Sequence, residues 1–345
     1  MQSQNKTAYM ISLTLFFSYV EMLLPRFTPF FRLGLANIVI LSSFSMPIQS
    51  FTVLLFTKAV AASMMSGTLF TPFLLISVCQ SLASGFLMYF FNSIFSKNRF
   101  ISLYGISCAG SSISAAVQLA LCYLYLGSGT KVFIAPMLVF NVFSGFFTAF
   151  LSGLIQIPEQ APELLNSTEG RAPALTRALR CPLSPLLGLH PKTRKAKIAV
   201  AAVLLVCAGS IFFIKNIKIL CAVFVLSIIL QALSGRKILI LPHLCMWIFV
   251  LVSQLITPEG KVIFSFSGFS ITQGALFTGI EKALKLSAVS ALSQCAACIK
   301  APADTLIGKS LLYHKALSDK LRSTNGTILF KVREALGAEK LYVYE

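Results

Sequence analysis

Three charged residues stand within one short apolar stretch of this sequence, EMLLPRFTPFFRLGLANIVIL at positions 21–41. Two of them, Arg26 and Arg32, are accompanied by prolines that restrict the backbone. Guanidinium groups held in a stiff loop are suited to binding a small anion, although both could instead reach lipid phosphates. The third, Glu21, ends an apolar run in which a charge is costly. The stretch therefore predicts a site for a small, anionic molecule.

Other polar residues interrupt the apolar runs that follow. Lys58 lies near the middle of one such run, where it either pairs with Glu21 or contacts a bound ligand. Side-chain amides in these runs commonly bond to a neighbouring helix, but together with the arginines they would line a pocket that opens outward. The predicted substrate-binding residues are Glu21, Arg26, Arg32, Asn37, Lys58, Gln80, Gln118 and Asn141.

The composition indicates a membrane protein. Of the 345 residues, 56% are hydrophobic and only 12% are charged, whereas soluble domains carry about 25% charged residues. The apolar runs are long and do not alternate, which excludes an outer-membrane barrel. The fold class is predicted to be all-α and polytopic. The net charge of +18 is attributed to basic loops beside the membrane, so no nucleic-acid partner is expected.

The apolar runs predict ten membrane spans in two domains. Residues 1–158 form the first domain, 159–188 a basic, proline-rich linker, and 189–345 the second domain with a polar tail. The spans of the first domain are predicted at about 8–24, 34–46, 48–66, 70–95, 100–126 and 131–156. Those of the second are predicted at about 197–214, 216–233, 238–257 and 271–298.

The distribution of Lys and Arg orients these spans. The basic segments are the loop with Lys97 and Arg99, the linker, the loop with Arg236 and Lys237, and the tail. All of them fall on one side when both termini are cytoplasmic, as the positive-inside rule requires. The sequence thus predicts a multi-pass protein of a bacterial inner membrane, with the loop after Glu21 outside.

The first domain resembles a known family. The opening stretch, LLFTKAVAASMMSGTLFTPFLLISVCQSLASGFLM and ISLYGISCAGSSISAAVQLAL resemble the Gx transporter family, also called heptaprenyl diphosphate synthase component I. The resemblance covers about residues 8–156. It implies a six-helix bundle like the substrate-binding S components of energy-coupling factor (ECF) transporters, which capture vitamins and other micronutrients from outside.

The second domain resembles a different component of those transporters. LHPKTRKAKIAVAAVLL, LITPEGKVIFSFSGFSITQGALFTGIEKALKLSAVSALSQC and KAPADTLIGKSLL are similar to the transmembrane T component of the cobalt-transport Q type. The resemblance implies cytoplasmic helices that bind paired ABC-type ATPases through Ala-Arg-Gly-like motifs. No such motif occurs, and Arg322, in Leu-Arg-Ser, is the best candidate for ATPase coupling.

An enzymatic role for the chain alone is not expected. Prenyl diphosphate synthesis needs clustered carboxylates for Mg²⁺, but Asp304 and Asp319 are the chain's two aspartates. The sequence has no P-loop, and the widely spaced His190, His243 and His314 predict no metal site. No cofactor is expected in this chain, and ATP would act through partner ATPases.

Two functions follow from these features. The first is a membrane uptake protein that captures a small, anionic vitamin or cofactor precursor for ECF-type, ATP-driven import. The alternative is a non-transporting membrane subunit that binds an isoprenoid or quinone precursor and scaffolds another enzyme.

Overall fold

The computed structural model describes residues 2–23, 33–95, 101–155, 194–233, 240–257, 260–266, 269–296, 305–326 and 328–336. We call the described residues up to 155 the first half and those from 194 onward the second half. The first half contains α1 (Gln2–Leu23), α2 (Asn37–Ser42), α3 (Ile48–Ser66), α4 (Pro72–Phe95), α5 (Leu103–Leu126), a 3₁₀ helix (Ser128–Phe133) and α6 (Ile134–Leu154).

The second half is also helical, apart from one β ribbon. Its elements are α7 (Arg194–Ile211), α8 (Ile217–Leu233), α9 (Ile240–Leu255), β1 (Val262–Phe266), β2 (Phe269–Thr272), α10 (Gln273–Ala296), α11 (Leu306–Ser323) and α12 (Ile328–Leu336). The two strands pair antiparallel. The ribbon was not predicted, although its aromatic and β-branched residues favour strands.

The predicted all-α class is confirmed. Three stretches of the described residues are each long and apolar enough to cross a membrane, namely α4, α5 and Ser128–Leu154. The division into six and four spans stays a prediction, since other apolar helices are shorter. The predicted break after α3 is present: Gly67 ends that helix with a φ of 72°, and Pro72 begins α4, a position that suits proline.

The core of the first half is built around α1. Every residue from Thr7 to Phe17 is buried, including the large side chains of Tyr9 and Phe16. A helix that is apolar all round must be surrounded by other elements. Here α2, α3 and α11 pack against it, while α3 to α6 pack sequentially, each against the next.

The tail contains a helix pair that packs on this core. Tyr313, Leu317 and Leu321 recur every four residues on α11, so they form one face of the helix, and all three are buried in the core cluster that contains α1. On α12, Val332 and Leu336 belong to the same cluster. The predicted polar tail is therefore an amphipathic helix followed by a short second helix.

The contact between α11 and α1 includes a histidine whose protonation is unfavourable. The ring of His314 packs edge-on against Tyr19, with their centroids 5.9 Å apart. Burial and the nearby Arg322 guanidinium lower the pKa of His314 to about 4, from the usual 6.5, and Asp319 acts in the opposite direction. The neutral imidazole is thus the form that fits the contact.

Acid should therefore loosen the tail. The released imidazole would bind a proton below its usual pKa of 6.5, whereas the packed one resists protonation down to about 4. The contact is at full strength above pH 6.5 and weakens progressively as the pH falls toward 4. We expect faster amide hydrogen exchange in α11 at pH 5 than at pH 7, after correction for intrinsic rates. An equal acid effect in a His314→Phe variant would contradict this cause.

Apart from the tail helices that pack on α1, the second half contacts the first at one end of its bundle. The Ser290 hydroxyl donates to the Gly67 carbonyl at 3.1 Å, and the Phe70 amide donates to the Ser293 hydroxyl at 2.7 Å. The Gln254 side-chain amide donates to the Leu126 carbonyl at 2.6 Å. Gly67 and Phe70 precede α4 and Leu126 ends α5, so all three lie at the same end of these neighbouring helices.

Two separate parts of α10 take part in this contact. Gly279 of α10 packs beside Gln254, and Gln254 of α9 contacts Leu126. Ser293, which contacts Phe70, lies about 20 Å farther along α10 at 1.5 Å per residue.

Candidate functional site

The GLAN tetrapeptide forms a tight turn that begins α2. Gly34 adopts a φ of +69°, in the left-handed region that favours glycine. The Asn37 amide donates to the Gly34 carbonyl at 2.7 Å, and the Ile38 amide donates to the Leu35 carbonyl at 3.1 Å. The turn thereby presents the Gly34 amide and the Asn37 side chain to neighbouring helices.

This turn joins the two charged residues that the sequence singles out. The Glu21 carboxylate on α1 accepts a hydrogen bond from the Gly34 amide at 3.3 Å. The Lys58 ammonium on α3 donates to the Asn37 side-chain oxygen at 2.8 Å. Glu21 is buried, and Lys58 is half-buried. The structure therefore gathers a carboxylate, an ammonium and an amide at one turn; we call Glu21, Gly34, Asn37 and Lys58 the polar group.

Two hydroxyls of α6 hold the turn from the opposite side. Ser144 donates to the Leu33 carbonyl at 2.6 Å, and Thr148 approaches the same oxygen at 3.3 Å. Thr148 also donates to the Ser144 carbonyl at 2.7 Å. The sequence analysis did not single out these residues. Their spacing of four, which puts them on one helix face, is the signal that could have found them.

Three other predicted site residues lie on α4, α5 and α6, away from the GLAN turn in sequence. Gln80 donates to the Ser114 hydroxyl at 2.6 Å, between α4 and α5. Gln118 is buried on α5, one helical turn after Ser114. Asn141 donates to the Met137 carbonyl of its own helix at 2.8 Å. Helix packing alone would produce the bonds of Gln80 and Asn141. Contact with a substrate stays a prediction for all three residues.

The two arginines of the opening stretch, Arg26 and Arg32, lie outside the described residues. Their predicted role in anion binding therefore stays a prediction.

The remaining predicted residue, Arg322, contacts the first half. Its guanidinium donates to the Tyr19 hydroxyl at 2.7 Å and lies 5.6 Å from the centroid of the Tyr19 ring. Tyr19 is two residues before Glu21 on α1. Arg322 thus ties the tail to the helix that carries the buried carboxylate, and its predicted role in ATPase coupling stays a prediction.

A second group of charges lies on α10. The Lys285 ammonium contacts the Glu281 carboxylate at 2.6 Å and donates to the Phe212 carbonyl at 3.1 Å. Lys282 donates to the side-chain oxygen of Gln254 at 3.3 Å, the residue that also binds Leu126 of the first half. The sequence analysis missed this group. The sequence pattern that could have revealed the group is a set of charges at helical spacing inside the predicted span 271–298.

The long apolar helices α4, α5 and Ser128–Leu154 indicate a multi-pass membrane protein, and the polar group lies inside its first half. Residues 10–155 match the family model described as heptaprenyl diphosphate synthase component I, the Gx transporter family. The predicted resemblance of residues 8–156 is thereby confirmed. The match supports a membrane protein of the ECF S-component type in this part of the chain.

The second half matches a different model. Residues 193–297 match a family described as a domain of unknown function (DUF8519), so its resemblance to a T component stays a prediction. The comparison with curated proteins found no match, and the comparison with solved structures found none either.

The GLAN turn provides a test of the polar group. Alanine at Gly34 would adopt a left-handed conformation that costs about 1–2 kcal/mol, and its Cβ would lie 3.1 Å from the Asn37 side-chain nitrogen. We expect Gly34→Ala to lower the melting temperature and to displace Asn37 from Lys58. Gly260, with a φ of +87°, is a matched control remote from the polar group. Equal loss of co-purified ligand in Gly34→Ala and Gly260→Ala would count against a role for the turn in binding.

Proposed function

We propose that this chain is a membrane uptake protein that captures a small, anionic vitamin or cofactor precursor for ECF-type, ATP-driven import. The observation that carries the proposal is the polar group, which lies inside a domain of the S-component type. Glu21 and Lys58 would be costly to keep in an apolar bundle without a use. The Lys58 ammonium is a donor of the kind that binds carboxylates and phosphates.

The family match of residues 10–155 supports the capture of a ligand from outside the cell. By its resemblance to S components, the end of the bundle that bears the loop after Glu21 would face the extracytoplasmic side. The positive-inside rule favours the same orientation. Arg26 and Arg32 in that loop would meet the anion first, and the polar group would hold it.

The arrangement of the halves supports a transport mechanism. By the same resemblance, import would proceed by alternating access, with the first half tilting in the membrane while ATPases act on the second half. The bonds from Ser290, Ser293 and Gln254 are the contacts through which the second half would move the first.

The tail contains a helix pair of the kind that ATPase docking would need. The predicted docking role needs a helix pair beyond the last span, and α11 and α12 form one. Arg322 of α11 contacts Tyr19, near the end of α1 that the predicted orientation places outside, so this contact favours the second function considered below.

The proposal is tested by purifying the intact complex from mild detergent and identifying both proteins and retained small molecules by mass spectrometry. We expect a pair of ABC-type ATPases and a small, anionic ligand. Recovery of a membrane or cytoplasmic enzyme without an ATPase would overturn the ATP-driven mechanism.

One observation favours the second function, a non-transporting subunit that binds an isoprenoid or quinone precursor and scaffolds another enzyme. The guanidinium of Arg322, the predicted coupling residue, already binds Tyr19. A tail fixed to α1 in this way suits a static subunit. An Arg322→Ala variant separates the two functions: the transporter would lose its ATPases, whereas the scaffold would keep its enzyme partner unless the tail itself is released.

A further inference from the structure

The β ribbon between α9 and α10 exposes an unusual apolar surface. Val262, Ile263 and Phe264 are 59%, 60% and 58% exposed. All five residues from Lys261 to Ser265 are exposed. Successive strand residues point to opposite faces of a ribbon, so neither face of β1 is covered by the protein over this stretch.

The other strand attaches the ribbon to the helices. Thr272 of β2 is 1% exposed, and β2 contacts both α9 and α10. The Gln273 amide at the start of α10 donates to the Lys261 carbonyl at 2.9 Å. The ribbon is therefore fixed to the helical body along β2, and β1 is its outer edge.

The apolar surface of β1 continues onto the helices. Leu244, Ile248 and Val252 form an exposed stripe along α9, with the spacing of four that defines one helix face. The stripe ends one turn before the end of α9, next to the ribbon. Phe277, in the first turns of α10, is also exposed. In a membrane protein, an exposed apolar stripe of this length faces lipid, so the same lipid phase reaches the ribbon.

Two requirements fix the depth of the ribbon. Exposure of three large apolar side chains to water is unfavourable by about 25 cal/mol for each Å². An open strand edge, however, does not occur in the hydrocarbon region, since its amide and carbonyl groups would have no partners there. The layer that satisfies both is the interface, where headgroups and water bond the edge and the acyl chains cover the side chains. Lys261 at the start of β1 is suited to lipid phosphates.

We propose that the β1–β2 ribbon lies in the interfacial layer of the bilayer and anchors that end of the second half to lipid. The proposal goes beyond the proposed function, because it requires neither a substrate nor an ATPase. Lipid headgroups would cover the exposed face of the ribbon, and the lipid-facing stripe of α9 would continue from it into the bilayer.

The depth of the ribbon can be measured with tryptophan, since Trp247 is the chain's one tryptophan. In a Trp247→Phe background, a single tryptophan is placed by Phe264→Trp or Ile263→Trp, and the full-length protein is reconstituted in phosphatidylcholine vesicles. Quenching is measured with lipids brominated near the headgroup, lipids brominated deep in the acyl chain, and aqueous iodide. Ile248→Trp on the α9 stripe is the control for depth, and Asn325→Trp, at an exposed position of the tail, is the control for water.

We expect the ribbon tryptophans to be quenched about twofold more by the shallow bromine than by the deep one. The Ile248→Trp control should show the reverse order. Stronger quenching by deep bromine, or by iodide at the level of Asn325→Trp, would overturn the proposal. Shielding from all three quenchers would also overturn it, because a protein, such as a second copy paired along β1, would then cover the ribbon. If the Trp247→Phe background does not fold, subtraction of the wild-type emission isolates the added tryptophan.

Discussion

Replacement of Lys58 by methionine should abolish ligand retention and leave the fold intact. The ammonium is the cationic member of the polar group, and loss of one charge-assisted hydrogen bond costs about 1.5–3 kcal/mol. That cost corresponds to about a 10- to 100-fold loss of affinity. The measurement is the amount of co-purified small molecule per mole of protein, determined by mass spectrometry beside a thermal melt.

The melting temperature distinguishes binding from a structural role. Lys58→Met removes a charge that is costly at the centre of a helix, by about 2.5–3.5 kcal/mol on insertion scales, and leaves Asn37 to find another donor. If Lys58 serves binding, the melting temperature should stay the same or rise while the ligand is lost. A large fall in melting temperature with ligand retained would show that the residue only supports the bundle. Lys218→Met, at an exposed position on α8, is the matched control.

The second large effect is expected at the contact between the halves. Gly129 lies in the 3₁₀ helix, and a Cβ at this position would overlap the Ser253 carbonyl of α9. Phe133 and Phe249, one helical turn away on either side, also pack together, with ring centroids 5.0 Å apart. Gly129→Ala should therefore separate α9 from the first half. Overpacking that forces the backbone to shift costs about 1–3 kcal/mol and occasionally more.

The effect can be read locally in the intact chain by amide hydrogen exchange, because α11 packs separately on α1 and would keep two split chains together. We expect Gly129→Ala to speed exchange at the end of α9 and in the 3₁₀ helix by up to about 100-fold, the equivalent of about 3 kcal/mol. Gly153→Ala is the control, because a Cβ on Gly153 meets nothing within 4 Å and alanine favours a helix. Unchanged exchange of these segments in Gly129→Ala would contradict this interface.

The helix positions could be predicted because their signals are local. Charged residues and the Gly67–Pro72 pair mark the ends of apolar runs, and the observed α3, α4 and α5 fall within two or three residues of the predicted spans. The tail was predicted only as polar. Its apolar residues come once per helical turn, as in Tyr313, Leu317 and Leu321, so averaged composition hides the face that packs on α1.

The polar group could be predicted only in part. Glu21, Asn37 and Lys58 stand out because charges and amides are rare in apolar runs. Their connection through the GLAN turn depends on a positive φ at Gly34 and on contacts between residues far apart in the chain. No local pattern encodes such tertiary contacts, which is also why the group around Glu281 and Lys285 was missed.

The bonds that hold the halves together have an evolutionary consequence. In each of the three described above, the first half contributes a main-chain atom and the second half a side chain: Gly67, Phe70 and Leu126 offer their backbone to Ser290, Ser293 and Gln254. A main-chain amide or carbonyl is present whichever side chain its residue carries. At this end of its bundle, the first half can thus change many side chains while the second half continues to recognise the unchanged path of its turns.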